Sequence, residues 1–502
     1  MKKSLKKLLT IALAGVLSIS TFAGCNDSSK VDLAGVTDTT IYVGNTAGTT
    51  GFLSTIGGPF NYGIQAAFHA YNTAGGYNGL NEAGEALAAP LKVELKHYDD
   101  GGIADQSKTL TEKLIHDDQV FAIVGNFAAT CVEANLEVIK EAEVPMVYAA
   151  AGNDILHNDN ATSLADRGIF PVQPLNMTEG RMLVLRAFAP AEAGGMGATK
   201  VGVISDSANE ASITMLKGIK AEAESLTAAQ RNNLVIQEVS GTDYSSAVNA
   251  IKANGCQTIV ITATGANFLT ALKAIAAAEY SCNVLTSYNN ASAAPFNNGT
   301  VIAEEYAPVF QYVNLYSQAW LDITSTTEFY KNTEHALYGI YYATYLTVYQ
   351  LPVEYGGFGM DEATAKATLD YYGIPGFKNE YWTMAEHLYD YGIATGNEQA
   401  YAMSYDAYAI AGYIAGDLFI QGLKALEASG KALTRKNYVN VMEEADCKII
   451  TANSISFANG LRQGVDAFAL TKISSIAGAA ATAATVHTLT TLDAYRALIL
   501  GE

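Results

Sequence analysis

The sequence predicts an α/β protein built as two doubly wound parallel-sheet lobes, with a hinge and a central cleft between them. Three observations predict it. The chain has 502 residues, far more than one hydrophobic core usually serves. Its hydrophobic fraction of 49% and charged fraction of 16% belong to a packed protein, not a disordered one. Short apolar runs alternate with helical patterns in two successive series. That is the rhythm of parallel strands with helices on both faces.

The first series opens with a strand at Ile41–Val43 and helical spacing over Asn61–Tyr71. Leu91–Lys96 alternates as a strand does, and Ser107–Ile115 is helical. Phe121–Val124 reads as a buried strand, Val132–Lys140 as a helix and Pro145–Tyr148 as a strand. The second series begins at Lys200. Strands are expected at Val201–Ser205, Leu234–Val239, Thr258–Ile261 and Val284–Thr286. Helices are expected at Glu210–Leu226, Ser245–Ala253 and Asn267–Ala277. In such sheets ligands bind at the carboxyl ends of the strands, and two lobes can turn those ends toward each other.

The first 24 residues read as an address. Four Lys precede an apolar run from Leu8 to Phe22, too short for a comfortable membrane span and suited to a signal peptide. The run ends in Phe22-Ala23-Gly24-Cys25, which resembles a bacterial lipobox with Phe in place of the usual Leu. The resemblance implies lipidation at Cys25, with residues 25–40 as a polar tether and two acyl chains for stable anchoring. No later apolar stretch reaches spanning length without interruption. The body is therefore expected outside the cytoplasm, away from ATP, which sets kinases and ATPases aside. The formal net charge is −20, and without residues 1–24 it is −24. Such a surface repels polyanions, so nucleic acid is not an expected partner.

Three stretches carry a family resemblance. Tyr71-Asn72-Thr73-Ala74-Gly75-Gly76-Tyr77-Asn78-Gly79 follows the first helix. Tyr98-Asp99-Asp100-Gly101 is followed by Asp118-Gln119-Val120-Phe121-Ala122-Ile123-Val124-Gly125. Late in the chain stand Leu433-Thr434-Arg435 and Ser456-Phe457-Ala458-Asn459-Gly460. In this order they resemble the branched-chain amino acid-type (Leu/Ile/Val-binding-like) solute-binding proteins of ABC importers, which have the type I periplasmic-binding fold. The resemblance runs from about residue 41 to 470. It implies an extracytoplasmic, lipid-anchored receptor that captures an amino acid-like or related small polar or aromatic solute. Its partners would be that solute and the membrane-bound permease subunits. One lobe would comprise residues 41–165 and 300–463, and the other 166–299 and 464–502. A ligand-sensing receptor subunit on the same fold is the alternative.

The segment Gly125-Asn126-Phe127-Ala128-Ala129-Thr130 follows a strand and opens a helix. Backbone N–H groups there suit a carboxylate or carbonyl oxygen. Where amino acid binders of this family place hydroxyl side chains, this chain has Ala129 and Gly152, with Thr130 one residue displaced. The candidate ligand-binding set in the first lobe is Phe127, Ala129, Thr130, Ala151 and Gly152. In the second lobe it is Asn209, Glu210, Thr264 and Tyr288. Tyr288 stands where amino acid binders often carry an acid for the ammonium.

The chain has 30 Tyr, crowded between Tyr306 and Tyr413. They read either as helix packing or as aromatic walls for a flat solute. A Tyr-rich helical insert is expected over about 324–399, at the cleft rim. Cys256 and Cys282 each precede a strand, so a disulfide and two buried thiols are both open. No nucleophile elbow, His-Glu-x-x-His or zinc-like His spacing occurs. Neither an enzyme, a metal nor a cofactor is expected. Asp99 and Asp100, before Gly101-Gly102, read as turn and cap residues.

Overall fold

The computed structural model describes residues 35–287, 290, 311–314, 380–401, 406–449, 454–474 and 482–500. Cys25, Tyr288 and residues 324–379 of the expected insert lie outside the described residues.

The first sheet is all parallel, in the order β2-β1-β3-β4-β5. Its strands are β1 (Thr40–Ala47), β2 (Lys92–Asp99), β3 (Ala122–Phe127), β4 (Met146–Ala150) and β5 (Ile169–Phe170). Between them run α1 (Ser54–Thr73), α2 (Ala104–His116), α3 (Ala129–Glu141) and the short α4 (Leu164–Arg167). The second sheet is parallel in the order β7-β6-β8-β9, formed by β6 (Val201–Asp206), β7 (Leu234–Val239), β8 (Thr258–Ile261) and β9 (Asn283–Thr286). Its helices are α5 (Asn176–Phe188), α6 (Glu210–Ala223), α7 (Ala228–Asn232), α8 (Ser245–Ala253) and α9 (Gly265–Ala277). Both sheets reverse direction beside their first strand, between β1 and β3 and between β6 and β8. Crevices open at such switch points, at the strands' carboxyl ends.

Every strand and helix expected in the two series is present, most of them extended by a few residues. The largest extension is α1, which begins at Ser54 rather than Asn61 and runs through Gly57-Gly58-Pro59. That triplet reads as a breaker in isolation. Here Gly57 sits where a Cβ would lie 2.2 Å from the Gly48 carbonyl oxygen, so close packing on the end of β1 needs it.

The later chain departs from a purely parallel pattern. β10 (Gln311–Asn314), β13 (Ala467–Ser474) and β14 (Thr482–Thr491) form an antiparallel sheet, and β11 (Cys447–Lys448) pairs with β12 (Ser454–Ile455). Residues 380–399 of the expected insert include helix Glu380–Thr395. The long helix Ala407–Ser429 crosses α1 at very short range. A Cβ on Gly412 would lie 1.8 Å from the Phe60 oxygen, and one on Gly63 would lie 2.0 Å from the Ala409 oxygen. The α5–α6 crossing repeats the device: Gly180 faces the Met215 oxygen at 2.0 Å and Gly218 the Met177 oxygen at 2.1 Å.

The C-terminal helix Leu492–Leu500 packs on α5. Glu222 of α6 receives both Arg496 Nε (2.7 Å) and Nη2 (2.6 Å). Arg462, almost fully buried, donates to Glu443, which also pairs with Arg167. The one acid thereby compensates two guanidinium groups in a half-buried setting.

Candidate functional site

The carboxyl edge of the first sheet is built on unusual backbone. Gly125 (φ 76°) and Tyr148 (φ 60°) lie on neighbouring strands, between the Val124–Val147 and Asn126–Ala149 pairings. A bulky residue in the left-handed region is costly and persists only where packing enforces it. Tyr148 is fully buried, with its ring 6.0 Å from that of Phe60. A third such residue, Ala128 (φ 74°, ψ 131°), turns the chain from β3 into α3. Among the described residues no side chain caps that helix, and its first residues Ala129 and Thr130 are exposed. Its first N–H groups therefore have no side-chain acceptor among those residues, and the helix dipole adds partial positive charge there.

An aromatic ladder stands beside this helix start. Phe127 is half-buried, 5.1 Å from Phe60 in edge contact and 6.2 Å from Tyr408. Tyr408 is 38% exposed and begins the long helix, where Asp406 accepts from the Tyr408 and Ala409 N–H groups. The Gly63–Gly412 crossing brings these two helices close enough for Phe60 and Tyr408 to flank Phe127. Ile103 and Ile155, exposed in the loops after β2 and β4, add apolar surface to the same edge.

Beneath the edge lies a buried amide and hydroxyl network. Asn45 donates through Nδ2 to Asn61 Oδ1 (2.7 Å) and to the Gly125 oxygen (3.3 Å). Its Oδ1 is then left as acceptor for His97 Nδ1–H at 2.8 Å, and His97 Nε2 takes the Thr49 hydroxyl at 3.1 Å. A neutral imidazole protonated on Nδ1 satisfies both contacts. Burial lowers the His97 pKa, against the opposing charges of Asp99 and Asp100. Asn126 donates to Thr46, which pairs with Ser107, and Asn135 joins Ser107 to Asn126. Asp99 and Asp100 act as turn residues. Asp99 accepts from the Thr49 and Gly101 N–H groups, and Asp100 from that of Gly102.

The expected first-lobe residues occupy this edge unequally. Phe127, Ala129 and Thr130 gather at the α3 start, and Asn153 Nδ2 reaches the Ala129 oxygen at 3.4 Å. Ala151 is buried. Gly152 is engaged in packing: its oxygen accepts from the Asn176 N–H, and a Cβ would meet Asn176 Oδ1 at 2.6 Å.

In the second sheet, Asn209 caps α6 by accepting from the Ser212 N–H at 3.0 Å, and Glu210 is exposed in the first turn. Thr264 precedes α9 and makes no side-chain cap; Asn290 instead accepts from the Gly265 N–H at 3.1 Å. Tyr408, Asn290 and the Asn45–His97 pair were not singled out from sequence. Asp406, a cap residue just before Tyr408, was the local signal for the first of them.

Cys131, Cys256, Cys282 and Cys447 are free and buried. Burial and the neighbouring Cys256 push the Cys282 thiol up to about 12, so it is not a nucleophile. Among the described residues no His, Cys and acid cluster could hold a metal, and no helix is long and apolar enough to cross a membrane.

Comparison with known proteins extends the geometry. The sequence profile of the family described as periplasmic binding protein matches residues 40–334. Among curated proteins no sequence match is found. A type 1 periplasmic binding protein from Bordetella pertussis Tohama I is similar in structure, with TM-score 0.53 and 14% identity over 89% of this chain and 100% of that one. A leucine binding protein from Thermotoga maritima gives TM-score 0.51 and 14% identity over 90% and 99% of the two chains. A solute binding protein of an ABC transporter from R. palustris, in complex with benzoate, gives 0.50 and 16% over 91% and 98%. At these identities the structures speak for the fold, which is the type I fold. The profile spans both parallel sheets, and the chain belongs to the periplasmic binding protein family, whose members hold solutes and are not enzymes.

Proposed function

We propose that this protein is the lipid-anchored, extracytoplasmic solute-binding component of an ABC importer. It closes lobe 41–165 with 300–463 against lobe 166–299 with 464–502, around an amino acid-like or aromatic carboxylate. The observation that carries the reading is the uncapped start of α3 beside the Phe127–Tyr408 ladder. Free N–H groups at a helix start suit a carboxylate, and the rings suit an apolar or aromatic body. The named ligands of two structural neighbours, leucine and benzoate, share that division into a carboxylate and an apolar part. Thr130 is the hydroxyl nearest the α3 start, Glu210 and Thr264 face the solute from the second lobe, and Cys25 carries the lipid.

A thermal-shift series on ligand-free protein tests the solute. Leucine, phenylalanine, benzoate and an aliphatic monocarboxylate are added separately. At least one should raise the melting temperature, because binding to the native state alone stabilises it. No response to any of them would overturn the carboxylate reading. For the anchor, Cys25→Ala should move the protein from the membrane fraction to the soluble one, and a variant still membrane-bound would defeat the lipidation assignment.

A further inference from the structure

Arg186 lies on α5, away from the cleft edge, and is 0% exposed. Its guanidinium makes one hydrogen bond, from Nη2 to the Phe468 oxygen at 3.1 Å. It stacks on the ring of Tyr495, 4.9 Å from the centroid. Nε and Nη1 have no partner among the described residues. Burial depresses its pKa to about 10, with only Tyr495 acting against that and no carboxylate contributing. The group therefore remains charged at neutral pH, inside the protein, with two donors unused. Two other strongly buried arginines among the described residues are provided for differently. Arg462 has Glu443, and Arg435 donates to the carbonyls of Val120, Phe121 and Ala142. A buried charge without partner is among the most costly arrangements in a core.

We propose that Arg186 holds a small inorganic monoanion, chloride in size and charge, between α5, β13 and the C-terminal helix. The chemistry favours a weakly hydrated halide over sulfate or phosphate. Nη2 is engaged with the Phe468 oxygen, and the unused Nε–H and Nη1–H point from different edges of the guanidinium. Neither edge therefore offers the free donor pair that an oxyanion takes, whereas a spherical monoanion can sit on one donor. Buried neighbours on the enclosing elements are apolar: Leu470 on β13 and Leu492 on the C-terminal helix. The anion neutralises Arg186 and ties the returning C-terminal segment to the second lobe. It is independent of the solute.

The test exchanges sodium chloride for sodium gluconate at constant ionic strength and reads the melting temperature of the purified full chain. The wild type should gain about 3 °C as chloride approaches saturation. Arg186→Met should lose that chloride response. Should the variant fail to fold, crystals of the wild type soaked in bromide should show an anomalous peak at hydrogen-bond distance from Nε or from Nη1. A wild type indifferent to the exchange, a variant that keeps the full response, or bromide confined to the surface would overturn the proposal in favour of water.

Discussion

The carboxyl edges of the two parallel sheets share one topology and differ in how their helix starts are satisfied. On the second sheet Asn209 caps α6, the Ser212 hydroxyl takes the Asp206 N–H at 2.8 Å and pairs with Thr262 at 2.6 Å, and Asn290 takes the Gly265 N–H. Side chains there consume donors that a solute would use. On the first sheet the chain enters α3 through Ala128 with no side-chain cap, and two more residues of positive φ shape the strand ends. Strain of this kind is kept where the surroundings enforce it, commonly at binding sites. The difference teaches a division of labour. In our reading the first lobe holds the solute while the cleft is open, and the second closes over it.

The glycine crossings offer the strongest way to break that division. Gly412→Ala puts a methyl 1.8 Å from the Phe60 oxygen, and Gly180→Ala puts one 2.0 Å from the Met215 oxygen. Backbone cannot yield as a side-chain tip can, so each should cost about 3 kcal/mol in urea denaturation. Only Gly412→Ala should also weaken solute binding, because Phe60 and Tyr408 ride on the two displaced helices. Equal loss of affinity in both variants would contradict the assignment of the solute to the first lobe.

Next in size is a pair of substitutions on the two edges. Phe127→Ala removes the middle ring of the ladder and should weaken binding by about 2 kcal/mol, roughly 30-fold in Kd by calorimetry. Asn209→Ala removes a cap and should lower stability by about 1 kcal/mol, with the affinity of the folded protein near wild type. The opposite pattern would exchange the roles of the lobes.

How far the sequence carries this picture depends on the kind of signal. The strands β7 and β8 and helix α8 are readable to the residue, because apolar period and turn residues agree there. α5 escapes such a reading. Eleven of its 13 residues are buried, including Glu179 and Arg186, so it has no polar face to set a period. The α3 start was legible as a strand-to-helix turn, but its positive φ at Ala128 was not, since Ala carries no mark of it. Tyr408 lies 281 positions from Phe127, and only the Gly63–Gly412 packing brings the two together. Gly152 packs against Asn176, a relation no local pattern encodes.

The smallest effect expected concerns acid. His97 on β2 and His157 after β4 both have pKa values lowered, chiefly by burial. Residues 166–299, which carry the second parallel sheet, contain no His, and His487 stands apart on β14 of the antiparallel sheet. The unfolded chain takes up these protons first, near the ordinary value of 6.5. The stability each neutral ring contributes is therefore complete above that pH and is lost as pH falls through it toward the lower folded value. The loss falls on the first sheet, because charging the His97 ring there meets the desolvation cost of its burial. Amide hydrogen exchange followed downward from pH 7 should show protection falling in β1–β4 before β6–β9, once intrinsic exchange rates are corrected. His97→Gln should remove part of that slope and His157→Gln a further part. Earlier loss in β6–β9 would mean that the acid-sensitive sheet is the one without histidine, and the contrast drawn between the two edges would have to be rebuilt on the carboxylates.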